Sequence, residues 1–209
     1  MFRILQRAWM GAFLLAATGV SGAEPISSSD TQAEIRARVY DYAGVSPTTL
    51  VKAKAVASEV LGAAGARVVW ADCQLRAEDP AKDAACALPM TPADLLIRVI
   101  DKKMADGVSS RDRLGFARHV EGFDWLAAAY FHKALELEKR NLADRSVVLG
   151  AIMAHEIGHL LLDDGSHSSQ GIMRPLWSKS ELKQLAQGRM RFTPEQALKI
   201  AQNVAARRR

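Results

Sequence analysis

The 209-residue chain is short of several things, and each shortage narrows what it can be. It has two cysteines, Cys73 and Cys86, which is too few for a disulfide-dense miniature scaffold and matches no zinc-knuckle spacing. Aromatic residues make up 6% of it, and the basic run Arg207-Arg208-Arg209 has none interleaved. That run, 207–209, therefore reads as a solvated basic tail, and no nucleic-acid partner is expected. Internal repeats, Asp/Gly-rich calcium repeats and low-complexity segments other than the tail are missing. A long apolar run is missing too: the stretch Trp9 to Val20 is short and carries Gly11, Thr18 and Gly19. Behind Arg3 and Arg7, and ahead of the small residues Ser21-Gly22-Ala23, it reads as a signal peptide over residues 1–23 rather than an anchor. The expected product is exported, periplasmic or secreted, with no stable membrane insertion after cleavage. In such a compartment Cys73 and Cys86, which share one polar, Pro-containing segment, read as a disulfide closing that loop. The formal charge is +5, or +3 once Arg3 and Arg7 are removed.

What remains is one domain. A Ser-rich, flexible lead-in over 24–33 precedes a single domain over 34–206. Glu34 to Tyr42 alternates apolar and polar residues as a half-buried strand does. Ser46-Pro47 then starts a long helix that ends near Gly62 and Gly65. Ala66 to Trp70 is a second strand. Asp94 to Ile100 is the strongest strand, apolar enough to lie centrally in a sheet. Leu114 to Val120 is a fourth, weaker one. Ala127 to His132 reads as a fifth strand, with a helix from Trp125 to Arg140 as its rival. A helix capped at Asp144 or Ser146 follows, then a short one near Ser180 and a last one from Pro194 to Ala206 behind Thr193. This order predicts an α+β fold with a mixed, twisted sheet of four to five strands.

The chemistry is concentrated in Ala154-His155-Glu156-Ile157-Gly158-His159, at the end of the apolar run Val147 to Met153. Helical positions four apart share a face, so His155 and His159 can aim their nitrogens at one ion. Zinc accepts neutral imidazole, and a catalytic zinc needs three protein ligands and one open position for water. Glu156 sits where a carboxylate reaches that water as general base. His167, beyond the turn-forming Asp163-Asp164-Gly165, is the natural third ligand. Asp163 or Asp164 can serve as a partner of a ligand histidine or as a solvated turn. His119 and His132 fall on predicted strands and read as structural, and Tyr130 is either a packed ring or an oxyanion donor.

The motif and the element order together resemble the zincin metallopeptidases. His167 and the downstream Gly171-Ile172-Met173 resemble the metzincin clan, its matrixin branch most of all. The resemblance implies a zincin-like fold, with a long helix after the first strand, an active-site helix and a C-terminal helix. It also implies a Met-turn at Met173 packed beneath the histidines, and an extended substrate paired with the edge strand near Leu114 to Val120. One departure stands out. The usual pattern is His-Glu-x-x-His-x-x-Gly-x-x-His. Here Leu162 occupies the Gly position and His167 lies eight residues after His159, two more than the pattern. A helix running half a turn further and leaving through Gly165 would still bring His167 back. Glu181, 22 residues after His159, is the rival third ligand, because thermolysin-like enzymes place a Glu at similar spacing on a second helix.

The expected function is an exported endopeptidase with one catalytic Zn2+ held by His155, His159 and His167, acting on a peptide or protein substrate. Two alternatives stand beside it: a secreted binding protein that keeps zinc for structure, and a zinc amidase acting on non-peptide amides. A closed fourth coordination position, filled by a group such as Glu181, would favour the binding protein. No prodomain with a switch cysteine is visible, and the sequence leaves the oligomeric state open.

Overall fold

A computed structural model describes residues 33–75, 84–107, 113–120, 123–140, 143–163, 165 and 167–207. The expected signal peptide, nearly all of the lead-in, Asp164 and Arg208-Arg209 lie outside them. Five strands form one sheet: β1 (Ala33–Asp41), β2 (Ala66–Cys73), β3 (Asp94–Ile100), β4 (Gly115–Val120) and β5 (Phe123–Tyr130). Their order is β2-β1-β3-β5-β4. All neighbours are parallel except β4, which runs antiparallel to β5 and forms an edge. Ala33, assigned to the lead-in, already pairs with Ala66. The apolar run at β3 does take the centre of the sheet.

Seven helices accompany the strands among the described residues: α1 (Pro47–Gly62), α2 (Ala84–Ala87), α3 (Lys102–Asp106), α4 (Phe131–Glu138), α5 (Arg145–Leu162), α6 (Lys179–Ala186) and α7 (Pro194–Ala206). The α+β arrangement is as expected; the short α2 and α3 were not. Both readings of the Ala-rich stretch hold in part, since β5 ends at Tyr130 and α4 starts at Phe131. His132, expected on a strand, is consequently on α4.

Alternation decides which face of the sheet is covered. Ile35, Ala37 and Val39 of β1, Leu95, Ile97 and Val99 of β3, and Ala127 and Ala129 of β5 lie in register and are buried in one core with α1 and α5. Asp144 caps α5 by accepting from the Ser146 amide at 2.8 Å. Val147, Val148 and Ile152 are indifferent helix formers, each costing up to about 0.7 kcal/mol against Ala. Burial outweighs this, because a fully buried Ile or Leu contributes about 1.5–3 kcal/mol and most of α5 is buried.

The other end of α5 is closed by α7. Asn203 Nδ2 donates to the Leu161 carbonyl at 2.7 Å, and Arg207 Nη2 donates to Leu160 at 3.0 Å. Arg207 also lies 3.6 Å over the Trp125 ring. It was expected to open a solvated tail. Instead its charge neutralises the negative end of the α5 dipole, and burial draws its pKa down to about 10, with Asp163 opposing the shift.

The loop carrying the disulfide is tied to the opposite face of the sheet. Cys73 and Cys86 are bonded. Arg38, buried on β1, donates to the carbonyls of Cys86 (3.0 Å), Leu88 (2.6 Å) and Pro89 (3.0 Å), and its Nε meets Asp94 at 3.2 Å.

Candidate metal centre

His155 and His159 lie one turn apart on α5, and the sheet fixes where that turn sits. His155 is buried, and its Nδ1 is 2.8 Å from the carbonyl oxygen of Ile172. A carbonyl only accepts, so this bond puts the ring proton on Nδ1 and leaves the Nε2 lone pair free. The same carbonyl accepts from Trp177 Nε1 at 3.3 Å. Ile172 is itself anchored through its amide to Arg191 O at 2.9 Å.

The freed Nε2 of His155 faces Nε2 of His159 at 3.1 Å. Two nitrogens bound tetrahedrally to one zinc at about 2.05 Å stand roughly 3.3 Å apart, so the spacing is that of co-ligands. His167 completes the group. Helix α5 ends at Asp163 in the left-handed region (φ 54°), and Gly165 also has positive φ (58°). These two positive-φ positions lie between the end of α5 and His167, which lines the same cleft as the helical histidines. Its ring centroid is 5.4 Å from that of His155 and 4.8 Å from that of His159. One ligand atom from each ring lies within 4.8 Å of the others. The three rings make a cradle of metal-ligand dimensions.

The donor chemistry fits a borderline-soft divalent cation such as zinc. Burial pushes the His155 pKa down to about 3, helped by the neighbouring His159 and His167 and opposed by the Ile172 carbonyl. His167 is also lowered, by partial burial and then by Arg113. Both rings are therefore neutral at physiological pH, the form that binds metal.

Glu156 is turned to the other side of the helix, towards the sheet. It is buried, and its carboxylate lies against Gly115 of β4, where a Cβ would stand 2.7 Å from Oε1. Burial raises its pKa well above the ordinary carboxylate value, and the charge of Arg113 works against that rise. A cleft of about 390 Å³ is lined by Glu156, the three histidines, Arg113 to Ala117, Gly165 and Pro175. Acid, imidazoles and edge strand thus share one space.

Met173 is fully buried beneath α5. A Cβ on Gly158 would meet Met173 Sδ at 2.7 Å and Phe192 Cε1 at 2.7 Å, so Gly158 is what lets them pack between the two histidines' turns. The Ser168 amide donates to Met173 O at 3.0 Å and closes the turn.

Other candidates are placed elsewhere. Glu181 accepts from the Ser178 amide at 2.7 Å in a capping box and pairs with Arg174, so its carboxylate serves α6 and does not join the histidines. Asp163 is 3.3 Å from His119, whose ring also meets Trp125 edge-on. Tyr130 is buried with Ile100, Ala105 and Ala128, stacked near His132, and does not line the cleft. The sequence reading missed the Ile172 carbonyl, which no sequence signal marks, and Arg113. The position of Arg113, just ahead of the strand expected to border the site, was a usable signal.

No family model matches this chain, and no curated protein sequence matches it either. Among solved structures, the crystal structure of archaemetzincin from Methanopyrus kandleri is similar to it, with a TM-score of 0.47 and 15% identity over 84% of this chain and 98% of that chain.

Proposed function

We propose that the protein is a zinc-dependent hydrolase acting on peptide bonds. The observation that carries this reading is the grouping of three imidazoles, with ligand atoms within 4.8 Å of one another, in a cleft that also holds a buried carboxylate. His155, His159 and His167 would hold the ion. Bound zinc would supply Lewis acidity towards a carbonyl oxygen and towards water, and its charge would favour the ionised form of Glu156.

The chain's own residues do the rest. Ile172 fixes the His155 tautomer, and Met173 and Phe192 support the turn that carries both helical histidines. Glu156 accepts a proton from water in the cleft and returns it to the departing amine, as a general base and then a general acid. The free edge of β4 offers unpaired backbone groups to an extended peptide. The Cys73–Cys86 bond supports residence in an oxidising compartment, in keeping with an exported protein.

The test combines metal analysis of the purified protein with a peptide-library digest, with and without chelator. The expected result is about one zinc per chain and cleavage that chelator abolishes. Glu156→Gln should keep the zinc and lose roughly a hundredfold or more in turnover. Parent-level cleavage by that variant would sink the proposal.

A further inference from the structure

The cleft carries a cationic side chain at its edge strand. Arg113 borders the same space as Glu156 and the three histidines, and Arg118 borders a smaller pocket that continues it past His159. Among the described residues, the acids nearest to them, Glu156 and Asp163, form no ion pair with either arginine. Glu156 is buried against β4, and Asp163 faces His119. Arg118 is drawn over the Phe116 ring, 5.6 Å from its centroid. Arg113 is exposed and forms no ion pair with any described residue.

The position of Arg113 gives that charge a direction. It lies two residues before Gly115, the residue against which Glu156 rests. Arg113 leads into β4 through a bend at Leu114, and it lines the cleft together with Gly115 and Ala117. Two residues of chain span at most about 7 Å, so the Arg113 backbone stands within roughly 7 Å of Gly115, against which Glu156 rests. A peptide laid along the free edge of β4 with its scissile bond near Glu156 therefore brings its next residue or two under the guanidinium. The guanidinium's fork of N–H donors suits a carboxylate.

We propose that Arg113 is the carboxylate receptor of this cleft, selecting substrates with an acidic group one or two residues from the bond that is cut. This rests on the hydrolase reading and names its substrate class. The carboxylate has two sources, a free C-terminus or an Asp/Glu side chain.

The experiment uses the zinc-loaded full chain and two matched sets of fluorogenic peptides. One set compares a free C-terminal carboxylate with the amide, and the other compares Asp with Asn on either side of the scissile bond. The parent should favour the carboxylate in one set by roughly tenfold in kcat/KM, the size expected of one charge-assisted bond in a half-open cleft. The favoured set identifies the source, and added salt should shrink the ratio. Arg113→Gln should bring the ratio close to one. The proposal is overturned if the parent shows no preference, or if Arg113→Gln slows every peptide while the ratio stands. The second outcome would mean that Arg113 acts through Glu156 alone. If no peptide is cut, the hydrolase reading fails by itself. Calorimetric binding of the same pairs to zinc-loaded Glu156→Gln, with and without Arg113→Gln, then decides Arg113 through the same ratio.

Discussion

A methyl group on Gly115 would stand 2.7 Å from Oε1 of Glu156 and would also run into the carbonyl oxygen of Ala128. The edge strand and the acid are therefore fitted to each other through a missing side chain. Gly115→Ala must move either the strand or the carboxylate. Overpacking of this kind costs about 1–3 kcal/mol, and a displaced general base loses turnover as well. We expect a lower Tm together with kcat reduced about tenfold or more at unchanged zinc content. Thermal melts, metal analysis and steady-state kinetics on the one variant check this. Unchanged kcat would mean that Glu156 is not held by this contact.

Zinc should stabilise the fold, because the three ligands are brought together only in the native state. At a free concentration a hundred times Kd, one bound ion adds about 2.7 kcal/mol. For a domain of this size that raises Tm by roughly 5–10 °C. His167 is exposed at the rim, so His167→Ala should melt like the parent without metal and show a much smaller zinc-induced rise. Differential scanning calorimetry with and without zinc measures both. An equal rise in parent and variant would remove His167 from the ligand set.

Met173 contributes volume and shape beneath the turn that bears the histidines. Met173→Ala opens a cavity beside Gly158 and should cost about 2–5 kcal/mol. Met173→Leu conserves volume and should cost less than about 1.5 kcal/mol, with activity retained. Urea titrations of both variants separate packing from any role for the sulfur, since a chemical role would fail in Leu as well as in Ala.

Asp94 makes stability depend on acid. Burial alone would raise its pKa, but the Thr91 hydroxyl (2.5 Å) and amide (2.8 Å), with Arg38 and Arg36, outweigh it and hold the carboxyl below its ordinary value. A folded pKa below the unfolded one gives stabilisation that is present above the unfolded value and lost as pH falls through the folded one. The parent should lose part of its stability below about pH 4. Asp94→Asn should show a flatter profile there and cost about 3–5 kcal/mol at neutral pH, because Arg38 is left buried beside a neutral amide. Urea midpoints between pH 2.5 and 7 test both statements.

The sequence was informative where periodicity and burial agree. The apolar β3, the Ser46-Pro47 start of α1 and the paired His155 and His159 each follow from local pattern, because the partner they need lies on the same strand or helix. The stretch around Tyr130 was ambiguous because Ala suits both states, and the chain uses both. Arg207 was misread for a physical reason: a terminal arginine looks solvated until the carbonyls of Leu160 and Leu161 are known to lie beside it. Arg38 was equally hidden. An arginine in an alternating strand reads as outward-facing, and only the fold, which brings Asp94 and three carbonyls of the disulfide loop to it, makes its burial tolerable. The carbonyl of Ile172 could not have been found at all, since every residue has one and only the fold aims it.

That carbonyl is shared between His155 and the indole of Trp177, whose ring centroid is 6.2 Å from the imidazole. The chain thus carries a fluorophore wired to the innermost ring of the candidate metal centre. Filling of the cradle, or protonation of its innermost ring, can be followed as a change in intrinsic emission without any added label, and replacing Trp177 by Phe identifies which part of the signal is local.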